Sequence, residues 1–442
     1  MNNKKFRKDL FIHLDGIALT APLSCIFNAD NKILNLLKKS HEFIIDSEKL
    51  ESVNGDYLNV TLRLFESQGW VKREITQKKI IKIKSTQSGV EIFNQANLYS
   101  IFFLFFPYLI NLNFSKNDSY QKLNQLLDKF DELEKKTKNK TILKHIEGLI
   151  IATPPHVRFK LAKEALEHDK NILLEKPVAL TSDEIQHLQR IAISRNLRVC
   201  VDFEYRAVPL FMQTKKLLDD NKLGEIYFIK LDWLMSSRSD PNRGWNWYSL
   251  SEKGGGVIGA LGTHAFDILH WFFGRTTEVA AKTYTSINER PLANQMMKVS
   301  SEDICIANLK LSNHPEEIIP CQVSLSSISK NGRGFCLEIY GSKGTLFLGS
   351  ENQKDYVHGF NLTYIDELDK ASNINPNNEF LFNRTWTDGR IAPVKRIHDW
   401  WAHSILDKKP IIPGLSEGLD SQRVCEAAKE SSRSGMVSEI TY

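Results

Sequence analysis

Long apolar runs are missing from this 442-residue sequence. The longest, Leu98 to Leu112 (LYSIFFLFFPYLINL), is about fifteen residues and is broken by Pro107 and Asn111, short of the roughly twenty that a membrane-spanning helix needs. It reads as buried core, and no membrane partner is expected. Cysteine is scarce too: six residues, at 25, 200, 305, 321, 336 and 425, with no pair at the spacing of a zinc site and no dense framework of the secreted kind. A reducing compartment and no metal site are the expectation. The basic start MNNKKFRKDLFIHLDG lacks the unbroken apolar stretch of a signal peptide because Asp9, His13 and Asp15 interrupt it, so a cytoplasmic location is expected. No short unit repeats, which excludes solenoids and low-complexity arrays. Glycine is absent between Val90 and Ile146, and with it any glycine-rich phosphate loop in that stretch.

What remains is an ordinary globular composition, 42% hydrophobic and 25% charged, long enough for two or three domains at roughly 150 residues each. The net charge of +5 is uneven: residues 1 to 140 hold 22 Lys and Arg against 16 Asp and Glu, while the rest is close to neutral. Lys78, Lys79, Lys82, Lys84, Lys135, Lys136, Lys138 and Lys140 read as a solvated face. The segment 56–70 carries only Arg63 as a cation before Trp70, too few for a groove-reading helix, so nucleic acid is not an expected partner.

The periodicity divides the chain. HLDGIALTAPLSCIF (13–27) and KILNLLKK (32–39) read as helices, the second with Ile33, Leu36 and Leu37 on one face. DYLNVTLRLFESQGW (56–70) reads as a helix with Leu58, Leu62 and Phe65 inward, stopping near Gly69. VKREITQKKIIKIKSTQSG follows as a two-stranded wing turning at Gln77 and Lys78, so residues 1–114 are expected to form a winged helix. Residues 115–145 are expected to be an amphipathic helix, with Leu123, Leu126, Leu127, Phe130 and Leu133 on one face, and a lysine-rich connection.

From 146 the pattern alternates. IEGLIIAT, NILLEKP and LRVCVDFEYR read as buried parallel strands, with helices over VRFKLAKEALEHD and SDEIQHLQRIAISRN between them. This is half of a doubly wound sheet, placed at 146–206. Residues 207–442 are strand-rich, with strands expected at 225–235, 277–287, 303–312, 317–329 and 334–349 and two closing helices. The expected class is therefore α/β and α+β: a winged helix, a partial Rossmann-like parallel sheet, and an open, mostly antiparallel sheet with helices on one face.

Residues 11–93 resemble the N-terminal winged-helix domain of small-molecule methyltransferases in LTAPLSCIF, YLNVTLRLFESQGWVKRE and SGVEIF. That resemblance implies a domain that supports dimerisation and covers substrate, hence a homo-oligomer. IATPPHVRFKLAKEALEHDKNILLEKPVALTSDE (151–184), followed by GGGVIGALGTHAFDILHWFFG (254–274), resembles the Gfo/Idh/MocA family of glucose-fructose oxidoreductases and inositol dehydrogenases from about residue 142 onward. It implies NAD or NADP as cofactor and hydride transfer to or from a sugar or polyol.

Lys176 has a physical account of its own. Between a strand end and Pro177 it projects from the carboxyl edge of a parallel sheet, where open α/β folds bind ligands, and its ammonium can stabilise a developing alkoxide. The resemblance adds contact with the nicotinamide ribose. His264, at the start of an apolar helix, can exchange a proton near neutral pH and by resemblance is the general acid/base. Thr153, Pro154, Glu175 and Arg206 are the further expected cofactor contacts. Tyr205, Trp245, Trp247 and Asp267 are the expected substrate contacts, while His270, His398 and His403 read as structural.

The sequence departs from the family in three places. Ala260 stands where most members carry an aspartate four residues before the histidine, and Arg158 where many carry a second histidine. The front strand, GxGxxG and helix unit is missing. The literal GxGxxG at Gly254, Gly256 and Gly259 follows no buried strand and is rejected as a dinucleotide fingerprint. The alternative to an active oxidoreductase is thus a catalytically impaired fusion remnant that keeps a sugar-binding or dimerisation domain.

Overall fold

The computed structural model describes residues 31–39, 41–46, 62–63, 65–66, 69–75, 80–95 and 147–442 apart from 293, 315–316 and 351–358. The chain divides into two compact units, Met1–Leu143 and Lys144–Tyr442. The helices expected at 13–27 and 115–145 and the apolar run 98–112 lie outside the described residues.

In the first unit, α1 (Asn31–Leu37) is followed by β1 (Glu42–Asp46), β2 (Val71–Ile75), β3 (Ile80–Ser85) and α2 (Gln87–Gln95). The strands form an antiparallel sheet in the order β1-β3-β2, and the expected hairpin is present, with Ile75 opposite Ile81. Alternation in β3 sends Ile81 and Ile83 into the core and leaves Lys84 exposed. Ile33 and Leu37, one turn apart on α1, join Leu62, Phe65 and Phe93 there. Leu36, expected on the same face, is exposed. Gly69 takes φ +73° where the preceding helical turn closes, its N–H donating to the Glu66 carbonyl.

The second unit opens with β4 (Gly148–Ile151), α3 (Pro155–Glu167), β5 (Asn171–Leu174), α4 (Ser182–Ser194) and β6 (Val199–Val201). The three strands are parallel, in the order β4-β5-β6. Their apolar runs are covered by the inner faces of α3 and α4, through Ala162, Leu166, Ile185 and Leu188. The third strand is shorter than expected. The Asp202 N–H donates to the Leu174 carbonyl, and the chain then winds into a 3₁₀ turn over Glu204–Ala207. Tyr205 and Arg206 therefore sit on that turn and not on a strand.

Next come α5 (Pro209–Asp219), β7 (Ile226–Leu234), a π-helical turn over Ile258–Gly262 and α6 (Thr263–Phe273). They are followed by β8 (Arg275–Tyr284), the hairpin β9 (Glu289–Leu292) and β10 (Gln295–Lys298), β11 (Ile304–Ser312), β12 (Ile319–Ser326), β13 (Gly334–Gly341), β14 (Gly344–Ser350), β15 (Asn361–Asp366) and β16 (Ala371–Asn373). Helices α7 (Ile391–Leu406) and α8 (Leu415–Ser434) and the short β17 (Ser438–Glu439) complete the chain. Nine strands form one sheet in the order β16-β15-β14-β13-β7-β12-β11-β8-β17, antiparallel except for the β7–β12 pair. Its core joins Ile229, Leu231, Val323 and Leu337 to Phe266 and Leu269 of α6 and Val424 and Ala428 of α8.

The end of the chain returns to the parallel sheet. The Val201 N–H donates to the Pro413 carbonyl, Gly414 bridges Cys200, and Leu415 and Leu419 enter the same core as Ile172 and Val201. Glu426 accepts from both the backbone N–H and the hydroxyl of Ser182 at the head of α4. Trp401 of α7 packs with Leu173 and Cys200.

Candidate active site

Three loops leave the carboxyl ends of β4, β5 and β6, the edge at which ligands of parallel sheets bind. Thr153 and Pro154 lie in the first, and Pro155 starts α3, where a missing N–H costs nothing. The Thr153 hydroxyl is buried without a hydrogen-bond partner. An orphaned donor at this edge fits a nicotinamide cofactor.

Arg158, one turn into α3, is buried and reaches back. Its guanidinium donates to the carbonyls of Thr153, Glu175 and Pro177. Burial pulls it down to about 10, with Glu175 opposing, and leaves it charged at neutral pH. Lys176 sits between two of those carbonyls. Its backbone N–H donates to the Glu175 carboxylate at 3.1 Å, and its ammonium donates to the Ala260 carbonyl at 2.8 Å, which brings it against the π-helical turn that leads into His264.

His264 is 4% exposed and ringed by Phe203, Tyr205 and Trp233 at 6.0, 5.0 and 6.1 Å between centroids. Its Nε2 lies 3.5 Å from Glu204 Oε2, and its Nδ1 is buried without a partner. Burial first, and then the positive charge of Lys176, hold the imidazole well below its ordinary value. Burial works the other way on the acids. It raises Asp202 well above the carboxylate range, reinforced by Glu175 and Glu204, and raises Glu204 to about 7 against the pull of Lys176. Lys176 and His264 therefore share one electrostatic cluster with Glu175, Asp202 and Glu204.

The other expected residues divide. Arg206 and Asp267 are both buried and meet in a two-pronged ion pair, Nε to Oδ2 at 2.9 Å and Nη2 to Oδ1 at 2.7 Å. The pair engages two of the guanidinium nitrogens and both carboxylate oxygens, which gives Arg206 and Asp267 a structural place beside the cofactor and substrate contacts expected of them. Tyr205 is 1% exposed among Phe211, Trp233, Phe335 and Phe360, a core residue and not a substrate contact. Trp245 donates its indole N–H to the Lys298 carbonyl in the β9–β10 hairpin. Trp247 is half-buried beside His156 in the first turn of α3, next to the Thr153–Pro154 loop. His270 is half-buried and accepts from the Thr276 N–H, which gives it a structural place, and His403 bonds the Asp399 carbonyl within α7.

The glycine triplet is explained by packing. A Cβ on Gly254 would lie 2.7 Å from Pro155, and one on Gly256, at φ +102°, would lie 2.4 Å from the Glu302 carboxylate. Glu302 accepts from the Ile258 N–H, so the anion position at the head of this helical segment is filled by the protein itself.

Asp202 and Glu204 went unread in the sequence. The available signal was the pair of acids spaced two apart at the end of the third parallel strand. Arg158 stands out in the sequence only as a departure from the family, and a buried guanidinium binding three carbonyls has no sequence signature.

Lys176 at the carboxyl edge of the parallel sheet bonds the turn that leads into His264, at the head of a helix lying on the large antiparallel sheet, so the two sheets of this unit meet at one site. The chain belongs to the Gfo/Idh/MocA oxidoreductase family: the model for the family's C-terminal alpha/beta domain matches residues 215–440, and that for its NAD-binding Rossmann fold matches 117–203. The latter match begins well before residue 142, inside the segment expected to be a helix and connection. The AprA N-terminal domain model matches residues 6–73. An uncharacterized oxidoreductase of Synechocystis sp. is 40% identical over 319 residues, 72% of this chain and 84% of that protein. Glucose-6-phosphate 3-dehydrogenase of Bacillus subtilis is 26% identical over 63% of this chain and 77% of its own. Among solved structures, levoglucosan dehydrogenase in complex with NADH and levoglucosan aligns with a TM-score of 0.58 at 21% identity, covering 69% of this chain and 82% of that one. An inositol dehydrogenase homologue of Azotobacter vinelandii complexed with NAD+ aligns at 0.58 and 18% identity, covering 66% and 78%. Among the described residues no helix is long and apolar enough to cross a membrane.

Proposed function

We propose that the chain oxidises or reduces a sugar or polyol with NAD or NADP, and that Lys176 and His264 are its catalytic residues. The observation that carries this reading is the ammonium of Lys176 fixed on the Ala260 carbonyl, one turn before His264, at the carboxyl edge of the parallel sheet. The bound cofactor supplies or accepts the hydride. Lys176 provides a fixed positive charge for the substrate oxygen as it becomes alkoxide, in a setting where burial strengthens the interaction. His264 exchanges the hydroxyl proton. Thr153, Pro154, Glu175 and Lys176 are the residues assigned to the cofactor, and Trp247 offers a ring on which a sugar can stack. The curated relatives named for levoglucosan and glucose 6-phosphate support the substrate class.

Nicotinamide fluorescence on titration with NADH and NADPH, followed by turnover on a panel of sugars and polyols, tests this. Binding with turnover on at least one sugar is the expected result. The second reading, an impaired remnant, is favoured by Ala260 together with the glycine-free stretch from Val90 to Ile146. Silence up to millimolar cofactor would select it.

For residues 1–114 we infer a winged helix that dimerises the chain in the cytoplasm, supported by the β1-β3-β2 sheet with its hairpin. Sedimentation of the full chain should give a dimer, and a monomer at micromolar concentration would overturn this part.

A further inference from the structure

We propose that Glu204 is the proton-exchanging partner of His264, and that the two act as one acid/base pair; the inference rests on the oxidoreductase reading for its functional meaning. Among the described residues, Glu204 is the polar group paired with the imidazole, at 3.5 Å from Nε2. Phe203, Tyr205 and Trp233 surround the ring, and Nδ1 has no partner.

Charge explains why a lone imidazole serves poorly here. Lys176 already places a positive charge in the cluster, and an imidazolium buried beside it would be a second. A neighbouring carboxylate changes the balance, because the pair then goes from −1 to neutral on taking a proton. In the oxidising direction the substrate O–H bond breaks and its proton joins the pair and leaves to water, and the hydride of the C–H bond that breaks with it would go to a bound nicotinamide. Glu204 suits the outward step, since its side chain is 16% exposed against 5% for His264.

The groups facing Glu204 are Glu175 and Lys176 from the loop after β5, Asp202 at the end of β6, His264 on α6 and Arg390 at the start of α7. Their combined effect with burial brings the carboxyl to about 7, where it exchanges protons at neutral pH. The carboxylate that the family resemblance places at 260 is absent, and one reaches the same imidazole from the turn after β6 instead.

The test is NMR titration of histidine-labelled full-length protein, with the His264 signal assigned from a His264→Gln variant. In the natural protein the His264 signal should report a transition near pH 7. In Glu204→Gln that transition should vanish or move by more than one pH unit, and an unchanged transition would overturn the proposal. Should Glu204→Gln fail to fold by circular dichroism, Glu204→Asp decides: a shorter carboxyl should move the transition by half a unit or more, and no movement overturns the pair. Turnover at pH 7 should fall about 100-fold in Glu204→Gln with cofactor fluorescence titration unchanged, and Ala260→Asp in that background should restore part of it. If no sugar is turned over by the natural protein the oxidoreductase reading fails, while the titration still decides the pair.

Discussion

Arg158 grips the backbone on both sides of Lys176, donating to the carbonyls of Glu175 and Pro177, and ties both to the Thr153 carbonyl of the neighbouring loop. The site's lysine is thus aimed by a residue on a different element.

Replacing Arg158 should act on geometry as well as stability. Arg158→Ala strips three carbonyls of a charged donor, each worth about 1–3 kcal/mol when left unsatisfied, so the thermal midpoint should fall by several degrees. Arg158→Lys keeps the charge without the planar fork, and should recover stability in part while turnover stays depressed. Differential scanning fluorimetry alongside steady-state kinetics separates the two effects.

Lys176 is half-buried and its backbone is held independently of its ammonium. Lys176→Met should therefore fold normally and lose about 100- to 1,000-fold in kcat, the scale of removing one transition-state donor. A variant with kcat within threefold of the natural protein would remove Lys176 from the chemistry.

The Arg206–Asp267 pair makes the opposite prediction. Asp267→Ala leaves a buried guanidinium without its counter-charge and should cost about 3–5 kcal/mol in urea unfolding. The double change Arg206→Met with Asp267→Leu should recover most of that. A substrate role for Asp267 would instead appear as a raised KM in a protein of normal stability.

Acid should destabilise the second unit through His270. Burial holds it down to about 3, aided by Arg206 and Arg275, whereas the unfolded chain titrates near 6.5. Below 6.5 the unfolded state binds the extra proton, so stability declines as pH falls toward 3, at up to about 1.4 kcal/mol per pH unit. Glu204, raised by burial, works in the reverse sense between about 4.5 and 7. The comparison to make is therefore the natural protein against His270→Gln, which keeps an acceptor for the Thr276 N–H and should flatten the slope below pH 6.

The legible parts of the fold were those in which burial follows chain periodicity. NILL and SDEIQHLQRIAIS carry their strand and helix patterns openly, and β11 and most of β13 alternate as half-buried strands do. LRVCVDFEYR misled because Phe203 and Tyr205 continue an apolar alternation while the backbone has already turned into a 3₁₀ helix. β1 and the β9–β10 hairpin, with Pro291 in one strand, carry too little pattern to be seen. In the site, Lys176 and His264 stand in motifs, but the ion pair that occupies Asp267 spans 61 positions and the contact between Glu204 and His264 spans 60. Those proximities belong to tertiary structure, and no local spacing announces them.

The return of the chain to β6 has a consequence for biosynthesis. β4, β5 and β6 leave the ribosome more than two hundred residues before Pro413, Leu415 and Leu419 supply the edge and the last apolar cover of that sheet. A nascent chain released before α8 is translated holds its parallel strands with an open flank, so this half of the protein matures only when synthesis is nearly finished.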